Sequence, residues 1–372
     1  MASPAGRIRD VMTFGLEEEF VLVDSRDPVT VPRAGALLAR IGDRWAARVK
    51  PEFFQTQIET NTLPRTTTAD LRADLVQARR AVVDAAAGVD ARLVASAAGV
   101  LTARPMRITE SPRYLRMAHC FQDMVAKLES ESSGCHVHLG PLSRDEAVLL
   151  GTRLRPWLPL LQALAANSPF AAGRDRGCAS WRYFEFQHWP TAGPAPALDG
   201  PGYERVARRL TESGTILDRK MIYWFSRPSE CWPTLEIRVA DVNPDPRVPI
   251  LLAVLLRGLA ATLLAELRAG RPVPGHDDTR LVEDHRLAAR FGLVAEGLDP
   301  LGGALESVQE RLASLLEFSR PGLEAGGDLE TAYDLGAAVL ATTGGAGQQQ
   351  ADFRVRRSLA DVVDGLVERT AL

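Results

Sequence analysis

The segment TFGLEEEFVLVD at residues 13–24 sets three consecutive carboxylates, Glu17, Glu18 and Glu19, between two apolar runs. Alternation along an extended chain puts Glu17 and Glu19 on one face with Val21 and Val23, and Glu18 on the other with Leu16, Phe20 and Leu22. Both faces therefore read as half buried. Charged groups in that setting are costly unless they are paired or bind a cation. Residues two apart on a strand stand roughly 6.5 to 7 Å apart, a spacing at which two carboxylates can share metal ions. The competing reading is an acidic edge strand that deters aggregation, and this segment alone does not separate the two.

A chain of 372 residues has enough material to bury a substantial core without staples. Its formal charge of −3 and its scattered Lys and Arg argue against nucleic acid as the main partner, so an anionic substrate would be met by local groups. Cys120, Cys135, Cys178 and Cys231 are widely spaced without a CxxC, which indicates neither a structural zinc site nor a disulfide framework and fits a reducing cytoplasm. The N-terminal MASPAGRIRD lacks the apolar stretch of a signal peptide. The most apolar run, 248–267, is interrupted by Arg257 and ends among Glu266 and Arg268, so it reads as a buried helix and not as a membrane span.

Strands are expected at 13–24, 48–63, 92–98, 132–140, 220–227 and 233–240. Helices are expected at 69–87, capped by Thr66 to Thr68, at 111–129 with Pro112 in its first turn, and at 143–167, where Ser143 and Glu146 form a capping box. The stretch 168–202, rich in Gly, Pro, Arg and aromatics, is too long for a passive linker. From Val248 the chain reads as helical almost to its end, with breaks at 270–275, at Gly326-Gly327 and at TTGGAG, residues 342–347. Strands without regular strand-helix alternation, followed by helices, predict an α+β fold: a mostly antiparallel sheet with flanking helices and a helical C-terminal third. No compositional break divides the chain, so residues 1–372 read as a single domain.

Four of these strands repeat one peculiarity, a charged or metal-binding side chain inside an apolar alternation. They carry Glu17 and Glu19, Glu52 and Glu59, His136 and His138, and Glu236 with Arg238. Side by side, such strands build an oxygen-rich floor with one or two imidazoles, a setting that suits Mg²⁺ or Mn²⁺. Arg238, with Arg182 and Arg174 from the aromatic loop, supplies guanidinium groups that grip phosphate oxygens. Divalent metal with convergent arginines is the equipment of phosphoryl transfer. Plainer readings stand beside it: HVH at 136–138 as a zinc motif or as core histidines, Glu236 and Arg238 as a structural ion pair, and Trp181, Tyr183, Phe184 and Trp189 as packing under the loop. Glu52 has the opposite parity to Glu59 and needs a bulge or bend between them.

Six separated motifs carry a resemblance: GLEEEF at 15–20, QIETNT at 57–62, SGCHVHLG, LRPWLPLLQALAANSPFAAGRD at 154–175, DRKMIYWFSRPS at 218–229 and TLEIRVAD at 234–241. In this order they are similar to the YbdK-type carboxylate-amine ligases, relatives of glutamate-cysteine ligase with a glutamine synthetase-like catalytic sheet. The resemblance implies ATP, two or three Mg²⁺ ions, a carboxylate activated as an acyl phosphate, and attack by an amine to give an amide. It implies a metal shell of Glu17, Glu19, Glu52, Glu59, His136 and Glu236, with Arg182 and Arg238 at the phosphate-binding, catalytic positions. Cys135 and Glu18 fall on the opposite face, Glu18 as a structural ion pair.

Two departures fall where substrate recognition is expected. The family's Arg-Gln-Arg element near the C-terminus is replaced by Gln348, Gln349 and Gln350, and its Gly-Thr-His-Pro motif by Gly99, Val100, Leu101 and Thr102. The expected enzyme is a cytoplasmic ligase acting on a small carboxylate and a small amine, with no nucleic-acid or membrane partner; a homo-oligomer is compatible with the chain. Two alternatives remain open at this level. One is a zinc-dependent amidohydrolase on HVH with ligands from His119, His188, His276 or His285, and the other is a catalytically silent nucleotide-binding relative.

Overall fold

The computed structural model describes residues 12–272 and 277–371. The segment MASPAGRIRD, part of the loop expected at 270–275, and His276 lie outside the described residues. The strands are β1 (Thr13–Asp24), β2 (Val49–Pro51), β3 (Gln57–Asn61), β4 (Ala91–Val94), β5 (Gly134–Gly140), β6 (Phe170–Ala171), β7 (Arg174–Asp175), β8 (Ser226–Pro228), β9 (Leu235–Asp241), β10 (Glu296–Leu298) and β11 (Leu305–Ser307). A seven-stranded sheet runs in the order β2-β3-β1-β5-β9-β8, and β4 pairs with the C-terminal part of β1. Every ladder in it is antiparallel.

The alternation of β1 decides what covers each face. Phe14 and Leu16 join Val137 and Leu139 of β5 and Leu235, Ile237 and Val239 of β9 in one apolar core with the helix Arg247–Arg268. On the other face, Val23 is covered by Val362, Val363 and Leu366 of the helix Leu359–Thr370, while Glu17 and Glu19 stay uncovered at the middle of the strand. One strand face is thus capped at its end and open where its acids lie.

Arg247–Arg268 is, among the described residues, the one helix long and apolar enough to cross a membrane by length and composition. It is instead the core helix, with 89% of its most apolar window buried inside the protein. Arg257 interrupts the run because it pairs with Asp328, donates to Thr66 O and stands 3.8 Å over the Phe14 ring. A buried cation with these partners is tolerated where a lone one would not be.

Caps follow the sequence. Thr67, Ser111 and Ser143 accept from the first-turn backbone, and the Ser143/Glu146 capping box is complete. Several spans differ from expectation. The strand expected at 48–63 is a hairpin, β2 and β3, turned at 52–56. The strand expected at 220–227 is a 3₁₀ turn, Arg219–Met221, followed by the short β8. The helix expected at 111–129 breaks at Phe121 into Pro112–Cys120 and Gln122–Val125, and that at 143–167 is divided by the 3₁₀ turn Arg155–Trp157 around Pro156. The strand expected at 92–98 ends at Val94, and the helical last third contains the hairpin β10-β11.

Candidate active site

The open face of the sheet is the floor of a cleft of about 430 Å³. Register brings the polar strands together: Glu17 opposes His136, Glu19 opposes Glu59, and His138 opposes Glu236. His136 Nδ1 lies 3.2 Å from Glu17 Oε2 and 3.8 Å from Glu236 Oε1, while its Nε2 is 3.7 Å from Glu19 Oε1. His138 Nε2 lies 3.3 Å from Glu17 Oε1, and its Nδ1 is 3.0 Å from Thr234 Oγ1. Glu52 follows β2 directly, and the turn after it returns the chain as β3, so the bend that its parity required is the hairpin itself.

Two triads have ligand atoms within 4.8 Å of one another: Glu17 with His138 and Glu236, and Glu19 with Glu52 and Glu59. His136 stands between them. The chemistry of the triads differs. Burial alone would raise Glu236, but Arg238 and then Arg227 hold its carboxyl well below the usual carboxylate range. Arg227 Nε donates to Glu236 Oε2 at 3.2 Å, and Arg238 Nη1 donates to Oε1. Burial likewise opposes ionisation of Glu17, and hydrogen bonds from His136 and His138 overcome it. In the second triad burial is reinforced. It pushes Glu52 well above the ordinary value with the charges of Glu19 and Glu59 behind it, and it pushes Glu59 up to about 7 with the charge of Glu17 adding to it.

This donor set fits hard divalent cations. Oxygen ligands crowd together, Glu52 and Glu59 have only the exposed Lys50, 3.8 Å from Glu59, as an ion-pair partner among the described residues, and His136 Nε2 is buried without a hydrogen-bond partner. A divalent ion would relieve repulsion among the acids and give that nitrogen a partner. The residues expected as a metal shell, Glu17, Glu19, Glu52, Glu59, His136 and Glu236, all line the cleft, as do Arg182 and Arg238.

The model of the glutamate-cysteine ligase family 2 (GCS2) matches residues 13–360. The chain belongs to this family. A protein of Mycolicibacterium smegmatis provisionally named glutamate-cysteine ligase 2-3 is 38% identical over 366 residues, 96% of this chain and 98% of its own. One from Frankia alni, provisionally named glutamate-cysteine ligase 2-2, is 39% identical over 376 residues, 97% of each. Among solved structures, a glutamate-cysteine ligase of Francisella tularensis in complex with AMP aligns with a TM-score of 0.66 and 12% identity, covering 97% of this chain and 89% of that one. A bifunctional glutathione synthetase of Pasteurella multocida aligns with a TM-score of 0.72 and 15% identity; this chain, 97% covered, spans 52% of it. The chain is therefore an ATP-dependent carboxylate-amine ligase with a glutamine synthetase-like fold.

Some candidates lie elsewhere in the ligase. Arg174 does not line the cleft: the β6-β7 turn, with positive φ at Ala172 and Gly173, leaves it 67% exposed and paired with Glu129 at 3.2 Å. Gln348 and Gln350 sit on the helix Gly344–Arg356 outside the cleft lining, with Gln350 donating to Asp175. Thr102 also lies away from it and donates to Glu131, so neither departure from the family pattern changes the cleft wall. His119 and His188 are exposed, His285 is buried in hydrogen-bond contact with Gln162, and none of the three lines the cleft as a zinc site on HVH would require. Two residues gain weight instead. His138 joins the first triad, and Arg227, invisible to periodicity on a three-residue strand, is the second cation on Glu236.

Proposed function

We propose that this ligase uses ATP and Mg²⁺ or Mn²⁺ to activate a small carboxylate as an acyl phosphate and passes the acyl group to a small amine. The observation that carries the reading is the pair of triads on the cleft floor with Arg182, Arg227 and Arg238 beside them. Bound divalent ions would neutralise the triphosphate and stabilise the charge that develops in transfer. Glu17, Glu19, Glu52, Glu59, His136, His138 and Glu236 are the groups to hold them. Arg182 and Arg238 grip the migrating phosphoryl group, and Arg227 fixes the Glu236 carboxylate from behind.

In the first step a carboxylate oxygen attacks the γ-phosphorus, the bond to the bridging oxygen breaks and ADP leaves. In the second the amine nitrogen attacks the acyl carbon, the acyl C–O bond breaks, and phosphate departs with the amine's proton. Phe53, Tyr114, Phe186, Trp189 and Tyr223 line the cleft and keep water from the activated acyl group. We place the activity in the cytoplasm, since all four cysteines are free, and in one domain, since the sheet and the C-terminal helices share a core.

The test is ADP release by the purified chain with Mg²⁺ across a panel of amino acids and amines that starts with glutamate and cysteine, the pair in the relatives' names, with product masses read out. ADP formation that needs both a carboxylate and an amine supports the reading. Tight stoichiometric zinc with amide hydrolysis and no ATP consumption overturns it, and ATP binding without turnover on any pair reduces the chain to a nucleotide-binding relative.

A further inference from the structure

We infer that Asp241, which lies outside the cleft lining, is the positioning residue for Arg182; the inference rests on the phosphate-gripping role proposed for that arginine. Asp241 ends β9 and pairs in register with Gly134, the first residue of β5. Its carboxylate is 2% exposed. Oδ2 accepts from the Asn167 backbone N–H and the Ser168 hydroxyl at 2.9 Å each, and Oδ1 accepts from the Ser180 hydroxyl at 2.9 Å. Ser168 Oγ in turn accepts from the Arg182 backbone N–H at 3.2 Å. One carboxylate thus ties both ends of the segment 168–180 and the start of the helix that carries Arg182.

The same carboxylate faces the guanidinium, with Oδ1 3.9 Å from Arg182 Nη1. The arginine side chain runs over Gly134, where an added Cβ would stand 2.5 Å from Nη2 and 3.1 Å from His136 Nε2. Across Gly134 lies Glu19, whose Oε2 accepts from the Gly134 N–H at 2.5 Å. Arg182 also donates to Arg238 O at 3.2 Å, and its Nε is buried without a partner. The guanidinium is therefore suspended between two carboxylates, one in the cleft and one behind it. Without the charge of Asp241 it would be drawn onto Glu19, neutralising an acid of the second triad and withdrawing a cation from the phosphoryl path. Asp241 keeps Arg182 and Glu19 apart as separate tools.

Asp241→Asn tests this. Its amide oxygen can still accept from Asn167 and Ser168 and its amide can donate to Ser180, so the segment keeps its ties and only the charge facing Arg182 is lost. The expected result is a protein that still folds, with a native far-UV circular dichroism spectrum, but with at least a tenfold weaker ATP affinity by calorimetry in the absence of both other substrates, and at least a tenfold loss in kcat/KM for ATP. On an Arg182→Lys background the same change should cost less than twofold, because the group it acts through has been replaced. Wild-type affinity and kinetics in Asp241→Asn, or losses that multiply fully on both backgrounds, overturn the inference. Should Asp241→Asn fail to fold, Gly134→Ala, which crowds Arg182 directly, must reproduce the loss of ATP affinity, and wild-type affinity there overturns it too. If Arg182→Lys and Arg182→Ala both bind and turn over ATP as wild type does, it is the phosphate role of Arg182 that fails, and the inference falls with it.

Discussion

The two ends of the cleft floor carry similar acids in opposite surroundings. At one end Glu236 faces Arg227 and Arg238, and Glu17 faces His136 and His138. At the other end Glu19, Glu52 and Glu59 face one another, with neutral donors from Gly134, Asn61 and Tyr114; the exposed Lys50 stands 3.8 Å from Glu59, and the charges of Arg182 and Arg238 reach Glu19. Burial penalises ionisation at both ends, so the counter-charge makes the difference: it holds Glu236 well below the usual range, while Glu59, with only the exposed Lys50 against the charges of Glu17 and Glu19, rises to about 7. The compensated end balances its acids with protein cations and imidazoles. The uncompensated end holds surplus negative charge that an incoming cation would satisfy.

Neutralising one acid at each end is the strongest way to break this comparison. Glu236→Gln leaves two buried guanidinium groups without their carboxylate and should cost about 3–5 kcal/mol of stability, together with turnover. Urea unfolding of the metal-free protein measures it. Glu59→Gln should lower ADP release at least about 100-fold, about 2.7 kcal/mol of transition-state stabilisation, yet leave the metal-free protein as stable as wild type or more so, because a like charge has gone. Equal destabilisation by the two variants would show that the ends do not differ. A smaller effect sharpens the point. Mg²⁺ or Mn²⁺ at ten times its Kd should stabilise the wild type by about 1.4 kcal/mol, read as a rise in thermal midpoint, and Glu59→Gln should lose most of that rise at the same concentration.

How far the sequence reveals this arrangement depends on the length of each strand. Over the twelve residues of β1, parity alone separates Glu17 and Glu19 from Glu18, and Glu18 does pair behind the sheet with Arg79 at 2.6 Å. Parity similarly sorts His136 from Cys135 on the seven residues of β5. It fails where the chain turns. Glu52 lies in a hairpin bend that no alternation describes, and Arg227 sits on a strand of three residues, too short to show a period. Asp241 shows a different limit, since its partners Asn167, Ser168 and Ser180 come from a loop that only tertiary structure folds back onto β9. Arg174 and Arg182 look equivalent in sequence, but one lies beyond a turn that faces solvent and the other on a helix that faces the cleft.

A reference is needed in which burial acts with neither a counter-charge nor a metal site, and His285 supplies the smallest test. It is fully buried behind the sheet, 4.6 Å from the Phe225 ring, with Nδ1 2.7 Å from Gln162 Oε1. Burial, with Arg311 and Arg155 adding like charge, pushes its pKa down to about 3. The unfolded chain binds this proton near pH 6.5 and the folded chain does not, so stability falls as pH drops from about 6.5 towards 3. Between pH 6.5 and 5.5 the loss should be about 1 kcal/mol from this group. Urea unfolding of wild type and His285→Gln at both pH values isolates it, because the difference between them removes the contribution of the cleft acids. A pH-independent difference would mean that the imidazole is not held neutral by burial, and burial could then no longer be taken as the term common to both ends of the cleft.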